Sequence, residues 1–304
     1  MNFLSNEQKG IAYVVVSGLL YGLLGYFGMT IIAEGFSRYN MLFWRFTIAS
    51  IFMLFVLLPK IKTLHENPKE ISKVFFYGAI FHGVSVIFYF ISATYIGTGI
   101  AMVLLFLYPA IVIFLNYLFH QAKITKTYYY SISLILLGLV LLVDIANLKF
   151  NILGITFGIL DAVFYAFYVI TSKSSKVSSP TVATFAMTLG CAFIALIFAL
   201  IDHSFQFPSS PTLWFNVIGM GVICTALPIL CFLKGLRYID SAKSSILGVS
   251  EPLAVMFFSY LLLGETMTSL QFIGAMMILL GAIIVLNPLQ ALKGFRKHES
   301  IPKP

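Results

Sequence analysis

Three side chains in this sequence can do ionic chemistry where water is scarce. Arg45, Asp161 and Glu251 each stand inside an apolar run long enough to cross a bilayer. A carboxylate can hold an organic cation or carry a proton, and a guanidinium can hold a carboxylate or phosphate through two parallel hydrogen bonds. A charge at the centre of a membrane helix costs about 2.5–3.5 kcal/mol on insertion scales, so such groups face a partner or a wet cavity rather than lipid.

Their neighbours extend the pattern. Asp161 is followed by Tyr165 and Tyr168 at i+4 and i+7, which puts a carboxylate and two phenols on one helix face. That face fits an amine or a proton, or an acid satisfied by a neighbouring helix. Glu251 precedes Pro252, whose missing N–H frees the carbonyl of Gly248, and Ser244, Gly248 and Glu251 share a stripe. The pair reads either as a substrate or proton group on a deformable helix, or as a structural kink with its acid paired internally. Arg45 is near the start of its span, free to snorkel outward or to pair with an acid. His82, Ser85, Tyr89 and Ser92 form a polar stripe at 3-4-3 spacing, either lining a cavity or hydrogen-bonded in a core. Tyr21 occupies the place in the first half of the chain that Tyr165 has in the second. Tyr21, His82, Tyr89, Asp161, Tyr165 and Glu251 are thus expected around a central cavity, with Arg45 as an anchoring or pairing residue. Burial makes Asp161 the critical acid, so Asp161→Asn is expected to impair the protein more than Glu265→Gln at a solvated helix end.

Other chemistries lack their residues. No second His or Cys stands at metal spacing from His82, so no metal site is expected. Cys191, Cys224 and Cys231 are odd in number, lie within helices and form no CxxC, which reads as buried inert thiols. There is no GxxxxGK[ST] and no dinucleotide or zinc-protease motif. No cofactor is expected.

The elements that position these groups are membrane helices. The chain has 304 residues, 60% of them hydrophobic and 10% charged, with a mean hydropathy of +0.98; soluble domains run near 25% charged. Spans of about 20 apolar residues fall at 11–32, 39–58, 74–93, 98–118, 128–145, 152–170, 181–201, 213–233, 242–263 and 270–289. The first lacks a basic n-region and a nearby cleavage site, so it reads as a retained helix. With ten spans both termini share a side. That side collects 16 of the 19 Lys and Arg residues, the other side holds Arg38 and Lys149, and Arg45 completes the total. This asymmetry places both termini in the cytoplasm and explains the net charge of +8 without nucleic acid.

The two halves repeat. At an offset of 143 residues, 95–143 and 238–286 share 13 identities in 49 positions, among them Tyr95–Tyr238, Pro109–Pro252, Tyr117–Tyr260 and Gly138–Gly281. Near the start of each half the offset becomes 144, matching Gly10 to Gly154 and Tyr21 to Tyr165. Five spans per repeat is an odd number, so the second copy enters from the opposite side. The expected fold is an all-α integral membrane protein with two inverted five-helix repeats, 10–147 and 151–289, and a cytoplasmic basic tail, 290–304. Such architecture generates alternating access in many carriers. Pro109 and Pro252 are candidate paired hinges. The Ser131/Gly138 and Gly274/Gly281 pairs are expected to let helices approach closely.

The run from Tyr238 to Pro252, continuing to Leu263-Gly264-Glu265, resembles the second half of an EamA-type carrier of the drug/metabolite transporter superfamily. Gln271 to Gly274, Ile278 to Gly281 and Phe43-Trp44-Arg45-Phe46 fit the same pattern, and the resemblance covers about residues 10–289. The sequence departs from it where Gln121-Ala122 stands opposite Gly264-Glu265. The resemblance implies a secondary transporter, not an enzyme, moving a small organic metabolite such as an amino acid, amine or nucleoside-like compound across an inner membrane. Rocking of the repeats would expose the cavity to each side in turn. Its partners would be the metabolite, membrane lipid, and a proton or exchanged metabolite. An intramembrane enzyme built on Asp161, Glu251 and His82, or a channel, remain the alternatives.

Overall fold

The computed structural model describes residues 5–59, 65–121, 126–142, 150–264 and 268–286. Ala122, Glu265, residues 60–64 of the loop expected on the basic side and the 290–304 tail lie outside these.

Ten helices are described: α1 (Asn6–Ala33), α2 (Arg38–Leu57), α3 (Pro68–Ile96), α4 (Thr98–Phe119), α5 (Lys126–Leu142), α6 (Ile152–Lys173), α7 (Pro180–Ile201), α8 (Pro211–Tyr238), α9 (Ser241–Leu262) and α10 (Ser269–Leu286). Nine have the length and hydropathy of a span, and α5 is a shorter apolar helix. Polar caps start them. Ser5 forms a capping box with Gln8, and the side chains of Ser37, Asn67, Asn151, Ser179, Ser210 and Asp240 accept first-turn amides. Pro68, Pro180 and Pro211 stand in first turns, where no N–H is missed. Helices α1, α3 and α8 run past the expected ends because these capped polar turns continue beyond the apolar windows.

Several helices are interrupted, and most interruptions come in pairs. A π-helical turn at Gly78–Gly83 in α3 matches one at Val222–Ala226 in α8 under the 143-residue offset. Helix α4 breaks between Leu105 and Tyr108, and α9 between Leu247 and Ser250, in both cases just before the expected hinge proline. Helix α1 also turns at Gly22–Leu23, whereas its counterpart α6 is continuous. A Cβ on Gly22 would fall 2.4 Å from Ala254 Cβ and 2.7 Å from its carbonyl carbon, so α1 turns where it meets α9.

The repeats interleave rather than stand as two bodies. Helix α1 packs on α8, α6 on α3, α2 on α7 and α5 on α10, each with its main partner in the other repeat. The α5–α10 contact uses the expected small residues. Ser131 donates to the Gly281 carbonyl at 2.6 Å, and the Gly138 and Gly274 backbones meet face to face. The result is two half-bundles, α3–α4–α6 and α1–α8–α9, each drawn from both repeats. Apolar side chains such as Phe55, Phe114, Phe215 and Leu261 cover the outside, as a lipid-facing surface requires.

Candidate functional site

Between the half-bundles lies a polar centre. From α3–α4–α6 come His82, Ser85, Tyr89, Tyr108, Asp161, Tyr165 and Tyr168; from α1–α8–α9 come Tyr21, Thr225 and Glu251; α2 adds Arg45. Ring contacts join His82, Tyr108, Tyr165 and Tyr168, Ser85 meets Asp161, and Arg45 meets Thr225. Tyr21, Tyr89 and Glu251 stand on helices of the same two half-bundles.

Arg45 is only 4% exposed, so it does not snorkel. Its Nε donates to Thr225 Oγ1 at 2.7 Å, its guanidinium carbon lies 5.1 Å from the centre of the Phe46 ring, and it makes no ion pair within 4 Å among the described residues. Asp161 accepts from Ser85 Oγ at 2.5 Å through Oδ1, while Oδ2 is buried with no partner. The Tyr21 hydroxyl and both His82 ring nitrogens are likewise buried and unpartnered. Buried polar atoms rarely stay unmatched, so several in one place mark a region that expects a guest or water.

His82 is held by rings: Tyr168 at 4.5 Å, Tyr165 and Phe46 at 5.8 Å. Tyr108 lies 4.6 Å from Tyr165, which lies 5.1 Å from Tyr168. Tyr89, Tyr165 and Glu251 are half-buried. No group of three His, Cys, Asp or Glu side chains that could hold a metal is present among the described residues.

Tyr108 and Thr225 were not expected. The repeat alignment carries the missing signal, because an offset of 143 sets Tyr108 opposite Glu251 and Thr225 opposite His82. The same symmetry relates two contacts. Ser17 and Asp161 are counterparts at offset 144, Pro228 and Ser85 at 143. Ser17 donates to the Pro228 carbonyl at 2.8 Å where Ser85 donates to Asp161.

The two ends of the interface differ. At the end carrying the N-terminus, Tyr108 donates to the Ser245 carbonyl at 2.9 Å, Asn116 to Ser241 Oγ at 2.9 Å, and Lys173 to the Leu236 and Ile239 carbonyls at 2.5 and 2.9 Å. Arg237 donates to the Val177 carbonyl, while Lys243 pairs with Glu7 within α1–α8–α9. The half-helix Ser241–Leu247 buries all seven residues. Its counterpart at the opposite end, Thr98–Leu105, buries Ala101 alone. The counterparts of the first two bonds, Glu251 with the Met102 carbonyl and Ser259 with Thr98, are not made. The interface is packed at the N-terminal end and parted at the other.

Comparisons with known proteins agree. The EamA-like transporter family model matches residues 8–144 and again 152–287. An uncharacterized transporter of Archaeoglobus fulgidus is 34% identical over 209 residues, 68% of this chain and 73% of that protein. The uncharacterized transporter YxxF of Bacillus subtilis is 26% identical over 93% of this chain and 92% of its own length. A solved crystal structure superposes with a TM-score of 0.77 at 15% identity, covering 96% of this chain and 99% of that one, a likeness of fold alone. With the ten apolar helices, the repeated family match and relatives that are transporters, this chain belongs to the EamA-like transporter family.

Proposed function

We propose that this membrane transporter is a secondary carrier that takes a small organic metabolite, an amino acid, amine or nucleoside-like compound, across an inner membrane by alternating access. In this reading the repeats are 10–147 and 151–289, and both termini and the basic 290–304 tail are cytoplasmic. Arg45, His82, Asp161, Tyr165, Tyr21, Tyr89 and Glu251 bind or couple the cargo, and Pro109 and Pro252 mark the hinges.

The observation that carries the proposal is the unequal burial of the equivalent half-helices Ser241–Leu247 and Thr98–Leu105. Two inverted copies in different packing supply the geometry of both states, because exchanging their conformations closes the parted end and opens the packed one. The exchange moves the Tyr108–Ser245 contact onto Glu251 and Met102, and Asn116–Ser241 onto Ser259 and Thr98. Ser259 and Thr98 are hydroxyls and can bond each other. A carboxylate only accepts hydrogen bonds, so Glu251 can approach the Met102 carbonyl only when a proton or a cationic cargo group supplies the donor. Closure at that end is thereby conditional on what occupies the centre. The N-terminal end also holds Lys173, whose counterpart is the apolar Met29, which favours the observed state at rest.

The test is exchange in proteoliposomes. Saturable uptake accelerated by metabolite on the far side supports the carrier. Unitary conductance would make it a channel, and chemical turnover of the metabolite would make it an enzyme.

A further inference from the structure

A pocket opens at the N-terminal end of the interface, away from the polar centre. Helices α3, α6, α7 and α8 surround it, through Tyr77 on α3, Ser172 and Ser175 on α6, Met187 on α7, and Leu233 and Arg237 on α8. It has room for one small group and stays open on one side. The α6 face that carries Asp161, Tyr165 and Tyr168 continues through Ser172 and Ser175 at the same 4-3 spacing. The pocket therefore lies on the stripe that leads from the centre to this end. Because α3 and α6 belong to one half-bundle and α8 to the other, it also spans the line along which they meet.

Its walls offer donors and no carboxylate. Arg237 gives one terminal nitrogen to the Val177 carbonyl, and its other N–H groups make no hydrogen bond among the described residues. Ser172 Oγ is buried with no partner. Its neighbours Thr171 and Ser174 donate to carbonyls one turn back, as hydroxyls in helices do, and Ser172 does not. Ser175 Oγ accepts from the Val177 N–H at 3.3 Å and keeps its own proton. A guanidinium and two free hydroxyl protons around a small space make a site for an oxyanion. Donors from two facing helices suit the tetrahedral spread of a phosphate better than a flat carboxylate.

We propose that this pocket binds a phosphate group, with Arg237 and the Ser172 and Ser175 hydroxyls as its donors, and that the bound group holds the N-terminal end shut. A phosphate there pairs with the guanidinium and ties α6 to α8 beside the Lys173 bonds to the Leu236 and Ile239 carbonyls. Opening of that end draws Arg237 away from both serines, so the site is complete only in the packed state. Its ligand then stabilises that state by mass action. The bearer of the phosphate is either a lipid headgroup or a soluble phosphate compound. Binding needs no transport, whereas the lock rests on the carrier reading above.

The test uses the full-length protein at constant ionic strength. The probes are inorganic phosphate, glycerol 3-phosphate, short-chain phosphatidic acid and the matching diacylglycerol. Binding is read as a rise in unfolding temperature, and the lock as slower labelling of Ser245→Cys by an impermeant maleimide. With a phosphate probe at about ten times its dissociation constant, labelling should slow about tenfold. Arg237→Gln should weaken phosphate binding about 10–100-fold, and Arg237→Lys should restore part of it. Ser172→Ala deletes a hydroxyl that no protein group satisfies, so the unfolding temperature without phosphate should hold or rise while phosphate binding weakens about fivefold. A purely structural Arg237 would lower the unfolding temperature on substitution and leave the phosphate response intact, which would overturn the site. A response to inorganic phosphate and glycerol 3-phosphate supports a soluble bearer. A response to phosphatidic acid alone, with diacylglycerol silent, supports a lipid. No stabilisation by any phosphate probe, or equal stabilisation of wild type and Arg237→Gln, would overturn the proposal. Stabilisation with unchanged Ser245→Cys labelling would keep the site and overturn the lock, whether or not any metabolite is exchanged.

Discussion

Replacing Glu251 with Gln should close the parted end without cargo. The counterpart contact is the Tyr108 hydroxyl on the Ser245 carbonyl at 2.9 Å. Exchange of the repeats brings residue 251 to the Met102 carbonyl, where Glu offers only acceptors and Gln offers an amide N–H. One new amide–carbonyl hydrogen bond contributes about 0.5–1.5 kcal/mol net, and removing a carboxylate that would be buried against a carbonyl adds to it. Taking about 1 kcal/mol, the ratio of the two states shifts about fivefold. Single cysteines at the equivalent positions Met102 and Ser245 report it through labelling with an impermeant maleimide from each side of sealed vesicles. In Glu251→Gln, labelling at Met102→Cys should fall and labelling at Ser245→Cys should rise, each about fivefold. Unchanged rates, or a shift in the other direction, would refute the symmetry argument.

Three other outcomes follow from the same contacts. Tyr108→Phe deletes the bond to the Ser245 carbonyl and should raise Ser245→Cys labelling about fivefold, for a loss near 1 kcal/mol. Lys173→Met removes both bonds to the end of α8 and installs the residue of its counterpart, Met29; labelling at Ser245→Cys should rise about 5–30-fold for about 1–2 kcal/mol. Gly138→Ala places a Cβ 2.6 Å from the Gly274 carbonyl oxygen, so α5 and α10 must part; detergent-solubilised protein should lose about 1–3 kcal/mol, seen as a lower unfolding temperature.

Much of this architecture is legible in the sequence, because membrane burial demands apolar length and inverted repeats leave aligned residues. The spans, the duplication and the gathering of Asp161, Arg45 and His82 all follow from those two constraints. Helix breaks were half legible. Pro109 and Pro252 announce theirs through a missing N–H, whereas the turn at Gly22 and the π turns at Gly78–Gly83 and Val222–Ala226 stand where glycines meet other helices at or beside the break. Interleaving was not legible, because hydropathy reports that a helix is buried and not which neighbour covers it. Tyr108 and Thr225 escaped for a related reason. Neither carries a charge, and their importance comes from lying opposite Glu251 and His82 in the other repeat. The states of Arg45 and Asp161, one donor used and one oxygen left over, depend on distances that spacing along a chain does not contain.

Alternating access is tested most directly with four tyrosines that form two equivalent pairs across the half-bundle interface. Tyr117 and Tyr238 belong to the N-terminal end, Tyr260 and Tyr95 to the opposite end, and all four are exposed. Spin labels in each pair, read by pulsed electron resonance in lipid nanodiscs, report the width of each end with and without the exchanged compound. The account predicts that the compound shortens the Tyr95–Tyr260 distance and lengthens the Tyr117–Tyr238 distance in the same molecules. Both distances lengthening together, as in an open channel, or neither moving with a compound that is demonstrably exchanged, would contradict it.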